Sequence, residues 1–162
     1  MNYFDKGMEI LEEKFGNSKD NVMGLSTIAL ELGANGQPRP ATRDIDAFYE
    51  DGVFYCVTWG ASNKMKQIAA NNEVAIAVNF AWFNANATGE NLGWCMKPEN
   101  AELRDKLRKA FTWYDDANDE SNENCVYLAV RLTSGIININ HHETLIYMDF
   151  INKTATLRGK EL

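Results

Sequence analysis

Two dipeptides constrain this chain more than any other feature: Asn35-Gly36 and Asp51-Gly52. Asparagine, aspartate and glycine tolerate the left-handed backbone that tight hairpins require, so each pair marks a β-turn between two strands. The flanking runs are extended by composition. Residues 22–31 carry Thr27, Ile28 and Leu30. Residues 42–49 alternate polar and apolar, with Arg43, Ile45, Ala47 and Tyr49 on one side. The third run, 53–58, is almost wholly β-forming. Three strands joined by short turns are antiparallel neighbours. Pro38 and Pro40 confine the entry of the second strand to an edge or an irregular start.

The remaining segments extend this pattern. Phe4, Met8, Leu11 and Phe15 recur at helical spacing and predict an amphipathic N-terminal helix within residues 1–17, ended by Gly16-Asn17. A second helix is expected over 62–71 and a fourth strand over 74–83. Residues 84–96, with Gly89 and Gly93, read as a loop followed by a strand. Pro98 suits the first position of a helix that carries Leu103, Leu107 and Phe111 on one face. Residues 113–124 hold five acids and no base, and read as a solvated acidic loop; the glycine and final glutamate of a calcium loop are missing. Strands are expected over 126–133, or on to 139, and over 144–151, followed by a polar, loose tail at 152–162. His141-His142-Glu143 reads as a turn, since adjacent residues on a strand point to opposite faces and cannot share one metal. Six antiparallel strands without βαβ alternation define a mainly β, closed or split barrel with flanking helices, as one domain over 1–162.

Composition excludes several functions. A net charge of −7 argues against nucleic acid as a partner. The N-terminus lacks the basic-then-apolar order of a signal peptide, and no apolar run approaches the roughly 20 residues that span a bilayer. A cytoplasmic protein without a membrane partner is expected. Cys56, Cys95 and Cys125 are widely spaced, without a C-x-x-C pair, and read as small buried hydrophobes.

Residues 53–79 are the chemically suggestive stretch. A strand ends at Thr58-Trp59, the chain breaks at Gly60, and a helix starts at Ser62 with Lys64 in its first turn. A helix N-terminus offers free N–H groups and partial positive charge, to which Lys64 adds a full charge. Arg43, on the neighbouring strand, supplies a fork suited to phosphate. These are the parts of an anion site; the other reading is a plain helix cap beside two solvent-facing cations. Trp59, Trp82, Trp94 and Trp113 suit core or interface packing, and Trp59 is the one placed to stack on a ligand.

Several blocks, in order, resemble the pyridoxamine 5′-phosphate oxidase-like FMN-binding split-barrel family. Pro40-Ala41-Thr42-Arg43 is similar to its P-x-x-R strand. Asp51-Gly52-Val53-Phe54-Tyr55 with Thr58 is similar to its D-G-x-x-Y/F-x-x-T strand. Ser62-Asn63-Lys64, Ile68 and Asn71-Asn72-Glu73-Val74 resemble S-x-K-x-x-x-[LI]-x-x-N-P-x-V. The resemblance runs from about residue 22 to 150. It implies a six-stranded homodimer with two FMN molecules at the subunit interface. By motif, Arg43 and Lys64 would hold the FMN phosphate, assisted by Ser62 and beside Asn63. Thr58 and Trp59 would lie along the ribityl chain or the ring edge, with the opposite subunit closing the site, in part through residues 90–94.

The chain also departs from that pattern. Asn72 stands where the family has proline, Phe48 where vitamin B6 oxidases carry a second strand cation, and Asn63 where they carry arginine; their C-terminal R-L-x-P motif is missing. The resemblance therefore implies an FMN-dependent oxidoreductase, oxidase-like or flavin reductase-like, with a different small-molecule substrate or a reduced nicotinamide as hydride donor. A non-catalytic flavin- or haem-binding sensor or stress protein, or a deazaflavin in place of FMN, fits the same barrel.

Overall fold

The computed structural model describes residues 2–162. Helix α1 (Tyr3–Phe15) is followed by strands β1 (Asn21–Ile28), β2 (Pro40–Glu50) and β3 (Val53–Trp59), then helix α2 (Asn63–Ala70). Strands β4 (Glu73–Val78) and β5 (Phe83–Trp94) lead through a 3-10 turn (Pro98–Asn100) to α3 (Ala101–Ala110) and the short α4 (Tyr114–Ala117). Strands β6 (Cys125–Ile139), β7 (Thr144–Asp149) and β8 (Thr154–Gly159) end the chain.

All eight strands form one antiparallel sheet in the order β3-β2-β1-β4-β5-β6-β7-β8, and a further pairing of β3 with β6 closes the first six into a barrel. The closure depends on β6, whose 15 residues span about 50 Å. One edge of β6 pairs with β5. The other edge pairs with β3 through residues 125–131 and then with β7 through residues 134–139. The barrel is thus complete over the first half of β6 and opens into an outer β7–β8 hairpin over the second.

The hairpins form where expected. Asp51 and Gly52 take positive φ (47° and 78°), a conformation that glycine adopts without steric cost. Beyond this turn β2 and β3 pair only over Phe48–Glu50 against Val53–Tyr55, and then splay apart. The first half of β2 runs with β1, while the second half of β3 runs with β6.

Three expectations are corrected. Where a loop followed by a strand is expected over 84–96, residues 83–94 form one long barrel strand, β5. Beyond Phe83 its inward face is Ala85, Ala87 and Gly89, too small to announce a strand, yet a Cβ on Gly89 would stand 2.9 Å from Ile68 Cγ2, so the small face is what seats α2. The fourth strand ends at Val78, because Asn79, Phe80 and Ala81 turn through positive φ. The tail is not loose over its whole length: Thr154–Gly159 pairs with β7 as an edge strand, where a polar outer face carries no penalty.

Two cores result. The larger fills the barrel, with α1 contributing Leu11 and Phe15 at one end and α2 contributing Met65 and Ile68 at the other. The smaller lies outside the barrel wall, where Leu107, Phe111 and Tyr114 pack on Phe48, Cys125 and Tyr127. The acidic segment therefore contains a buried aromatic anchor, Tyr114, whose hydroxyl lies 2.6 Å from that of Tyr127. Among the described residues no helix is long and apolar enough to cross a membrane.

Candidate functional site

Helix α2 packs on β1 and β5, and the side chain of Arg43 joins it to the part of β2 that has splayed from β3. Ser62 caps this helix, its hydroxyl accepting from the Met65 N–H at 3.3 Å, and the Ser62 N–H donates to Trp59 O. Strand end, turn and helix start are thus one continuous piece, as the sequence predicts. The buried face of α2 includes one polar residue, Gln67.

Arg43 reaches this face from β2. Its Nη1 donates to Thr27 Oγ1 at 2.7 Å and, more weakly, to the carbonyls of Leu25 and Ala41; its Nη2 donates to Gln67 Oε1 at 2.8 Å. Every one of these acceptors is neutral. Lys64 lies close enough for Arg43 to depress its pKa, after burial, which is the larger cause. Burial alone lowers Arg43. Beneath them the Cys56 thiol is pushed up to about 11 by burial, against the pull of Lys64. Neither cation has an ion-pair partner among the described residues, whose ion pairs all lie elsewhere.

Two neighbouring, partly buried cations without a carboxylate are unfavourable by themselves and favourable around an anion. With the open N-terminus of α2 beside them, they suit a phosphate. The residues present therefore fit an FMN phosphate. Of the other candidates, Thr58 and Trp59 sit at the end of β3, and Asn63 is exposed in the first turn of α2. Trp59 is 48% exposed and walls a separate cavity of about 430 Å³ together with Thr58, Trp113, Asp119 and Cys125. The sequence reading missed Thr27 and Gln67, which hold Arg43 in place. A glutamine on the buried face of a short amphipathic helix was the available signal.

Other titratable groups lie apart from this site. Asp46, on the outer face of β2, is raised to about 6 by burial first and then by the neighbouring Asp20, while Trp113 Nε1 donates to its Oδ2 at 3.1 Å. Its Oδ1 is buried without a partner. All three cysteines are buried and free, with Cys95 and Cys125 facing each other across the end of β5 and β6, where Cys95 N donates to Cys125 O. His141 and His142 are exposed on the β6–β7 turn. Among the described residues no group of three or more His, Cys, Asp or Glu could hold a metal. A cavity of about 860 Å³ lies against α1 at the opposite end, walled by Phe15, Trp82 and Asn138 and by none of the candidate residues.

A closed six-stranded antiparallel barrel with a splayed hairpin mouth is the FMN-binding split barrel. No protein-family model matches the sequence, and no curated protein matches it. Solved structures do. A protein from Clostridium acetobutylicum related to general stress protein 26, of the pyridoxinephosphate oxidase family, is similar at TM-score 0.58 and 15% identity, over 93% of this chain and 96% of that one. A FAD-binding protein from Mesorhizobium loti is similar at TM-score 0.56 and 14% identity, over 78% and 89%. A heme-binding protein from Mycobacterium smegmatis gives TM-score 0.60 at 13% identity, over 86% of this chain but 56% of its own length. The chain shares its fold with the pyridoxamine 5′-phosphate oxidase-like and general stress protein 26 proteins.

Proposed function

We propose that this chain is an FMN-binding flavoprotein and an oxidoreductase, related in fold to pyridoxamine 5′-phosphate oxidase but acting on a different substrate. The observation that carries the reading is the pair Arg43 and Lys64, adjacent at the barrel mouth and free of any carboxylate. Arg43 would offer its remaining N–H donors and Lys64 its ammonium to the phosphate, with the Ser62 hydroxyl and the first N–H groups of α2 beside them. Thr58 and Trp59 would border the ribityl chain and ring. Bound FMN would supply the two-electron redox chemistry that no side chain here offers. The chain's own task is to hold the phosphate, orient the ring and shield it from water. A homodimer, with the second subunit closing each site, belongs to the same proposal; apolar side chains left in solvent at Leu30 and Leu32 support it.

The visible spectrum of freshly purified protein tests the reading, with mass spectrometry of the released cofactor. Flavin bands that bleach with NADH or NADPH and recover in air are expected. A colourless protein that takes up no FMN on titration would overturn it. Lys64→Ala and Arg43→Ala should each weaken FMN binding by roughly 1.5–3 kcal/mol, and unchanged affinity in both would place the phosphate elsewhere. The likeness to a heme-binding protein supports a second reading, a non-catalytic haem or flavin module, and a Soret band would select it.

A further inference from the structure

The cavity beside the end of β3 has a composition that the phosphate site does not explain. About 430 Å³ in volume, it is walled by Val57 and Trp59 on one side and by Trp113, Asn118 and Asp119 on the other, with Cys125 between. Its walls are held in position. Trp59 pairs with Cys125 across β3 and β6, and Gly60 N donates to Asn124 O at 2.7 Å, so the acidic segment is stitched to the strand end. Trp113 is fixed twice, by its Nε1 bond to Asp46 and by stacking on Phe111 with centroids 4.8 Å apart and planes 10° apart. Asn118 Nδ2 donates to Tyr114 O at 2.8 Å, and Asp119 Oδ1 accepts from the N–H and the hydroxyl of Ser121. Its Oδ2 takes part in no hydrogen bond within the chain.

Of the residues that wall the cavity Asp119 alone is charged, and it belongs to the acidic segment. Asp115, Asp116, Asp119 and Glu123 have no ion-pair partner among the described residues. Glu120, the fifth acid of the segment, is neutralised by Arg104 and Arg108. Those two arginines are the basic residues that pack on the segment, and both are occupied: Arg104 with Cys95 O and Arg108 with Glu120 and the Tyr114 ring. Indole faces carry a negative quadrupole that attracts cations with weakly hydrated, apolar substituents. An anionic or strongly hydrated ligand would meet repulsion or desolvation here. A neutral apolar ligand would gain nothing from Asp119.

We infer that this cavity binds a monovalent organic cation, an ammonium or pyridinium carrying apolar substituents, between the indoles of Trp59 and Trp113 with Asp119 as counter-charge. The inference does not rest on the phosphate reading, since it uses neither Arg43 nor Lys64, although Thr58 and Trp59 border both sites. It places a cation-selective pocket around the corner of the same strand end, where Trp59 separates the two.

Choline and its uncharged carbon isostere 3,3-dimethylbutanol are the probes, followed by tryptophan fluorescence of the full chain. Choline should quench in a saturable curve, and the isostere should bind at least about tenfold more weakly. Trp59→Ala should weaken choline at least about tenfold, Trp59→Phe should retain most of the affinity, and Asp119→Asn should cost several-fold. Trp59 is half exposed at a strand end, and circular dichroism of each variant checks that the fold persists. No saturable choline signal would overturn the inference, as would equal binding of the isostere or unchanged binding in both Trp59→Ala and Asp119→Asn. An FMN titration of the same samples separates the two readings: uptake of FMN without choline binding sinks this one alone, and choline binding without FMN uptake sinks the other alone.

Discussion

At one end of the barrel α1 drives Phe15 among Tyr49, Phe54, Trp82 and Phe83; at the other α2 presents Gln67 to Arg43 and Thr27. The first closure is made of ring contacts, five to six ångströms between centroids, and it buries no charge. The second is made of hydrogen bonds around a cation, with another cation beside it. Burial of apolar surface stabilises a fold without specifying a ligand, whereas uncompensated charge costs stability and invites one. The difference separates the two ends: the barrel is closed by apolar packing at α1, and at α2 it is closed around the cations that the proposed reading gives to an anion.

Substitutions can break or sharpen this contrast. Phe15→Ala should have the largest effect, about 3–5 kcal/mol of stability lost in denaturant titration, with the FMN affinity of the folded protein unchanged. Lys64→Met should act in the opposite sense. Removing an unpaired, partly buried ammonium should raise the stability of the FMN-free protein by about 1 kcal/mol while weakening FMN binding by roughly 1.5–3 kcal/mol, and a loss of stability would mean that Lys64 has a partner inside the fold. The two helix caps differ as well. Asn2 accepts from Asp5 N at 2.8 Å, but Ser62 accepts from Met65 N at 3.3 Å. Asn2→Ala should therefore cost about 1 kcal/mol and Ser62→Ala about half of that, measured by thermal melts.

The smallest effect is a pH dependence at the outer wall. The Asp46 carboxyl is raised from its ordinary value to about 6, so the fold favours its protonated form. Its contribution is fully present below the unfolded value near 4 and is lost as the pH rises through 6. Stability should therefore increase on acidification from pH 7 toward pH 4, and Asp46→Asn should flatten that rise. A profile identical to wild type would relocate the titrating group.

The sequence foretells the parts of this molecule that are governed locally. Asn35-Gly36 and Asp51-Gly52 name their hairpins because turn chemistry is a matter of two residues, and Ser62 names its helix start for the same reason. Strand β5 escapes because Asn84-Ala85-Asn86-Ala87 has neither branched nor aromatic side chains; it is a strand because Ile68, far off in sequence, needs a small face to pack on. The anion site is half legible. Arg43 and Lys64 can be picked out by residue type, but their lack of carboxylate neighbours, and the hold of Thr27 and Gln67 on Arg43, exist only in three dimensions. The acidic segment is legible as charge and opaque as structure, since Tyr114 and Trp113 bury themselves inside it. The cysteines are buried, as expected, but nothing in their spacing announces that Cys95 and Cys125 meet.

The long strand β6 sets a schedule for synthesis. Val53 of β3 pairs with Arg131, and Phe83 of β5 pairs with Ile137. Until residues 125–139 leave the ribosome, β3 and β5 both present bare edges, and nothing earlier in the chain can cover them. Open edges on an incomplete sheet recruit other chains. A nascent chain stalled before residue 125 thus carries two bare strand edges, and fifteen residues of a single strand end that exposure at both edges together.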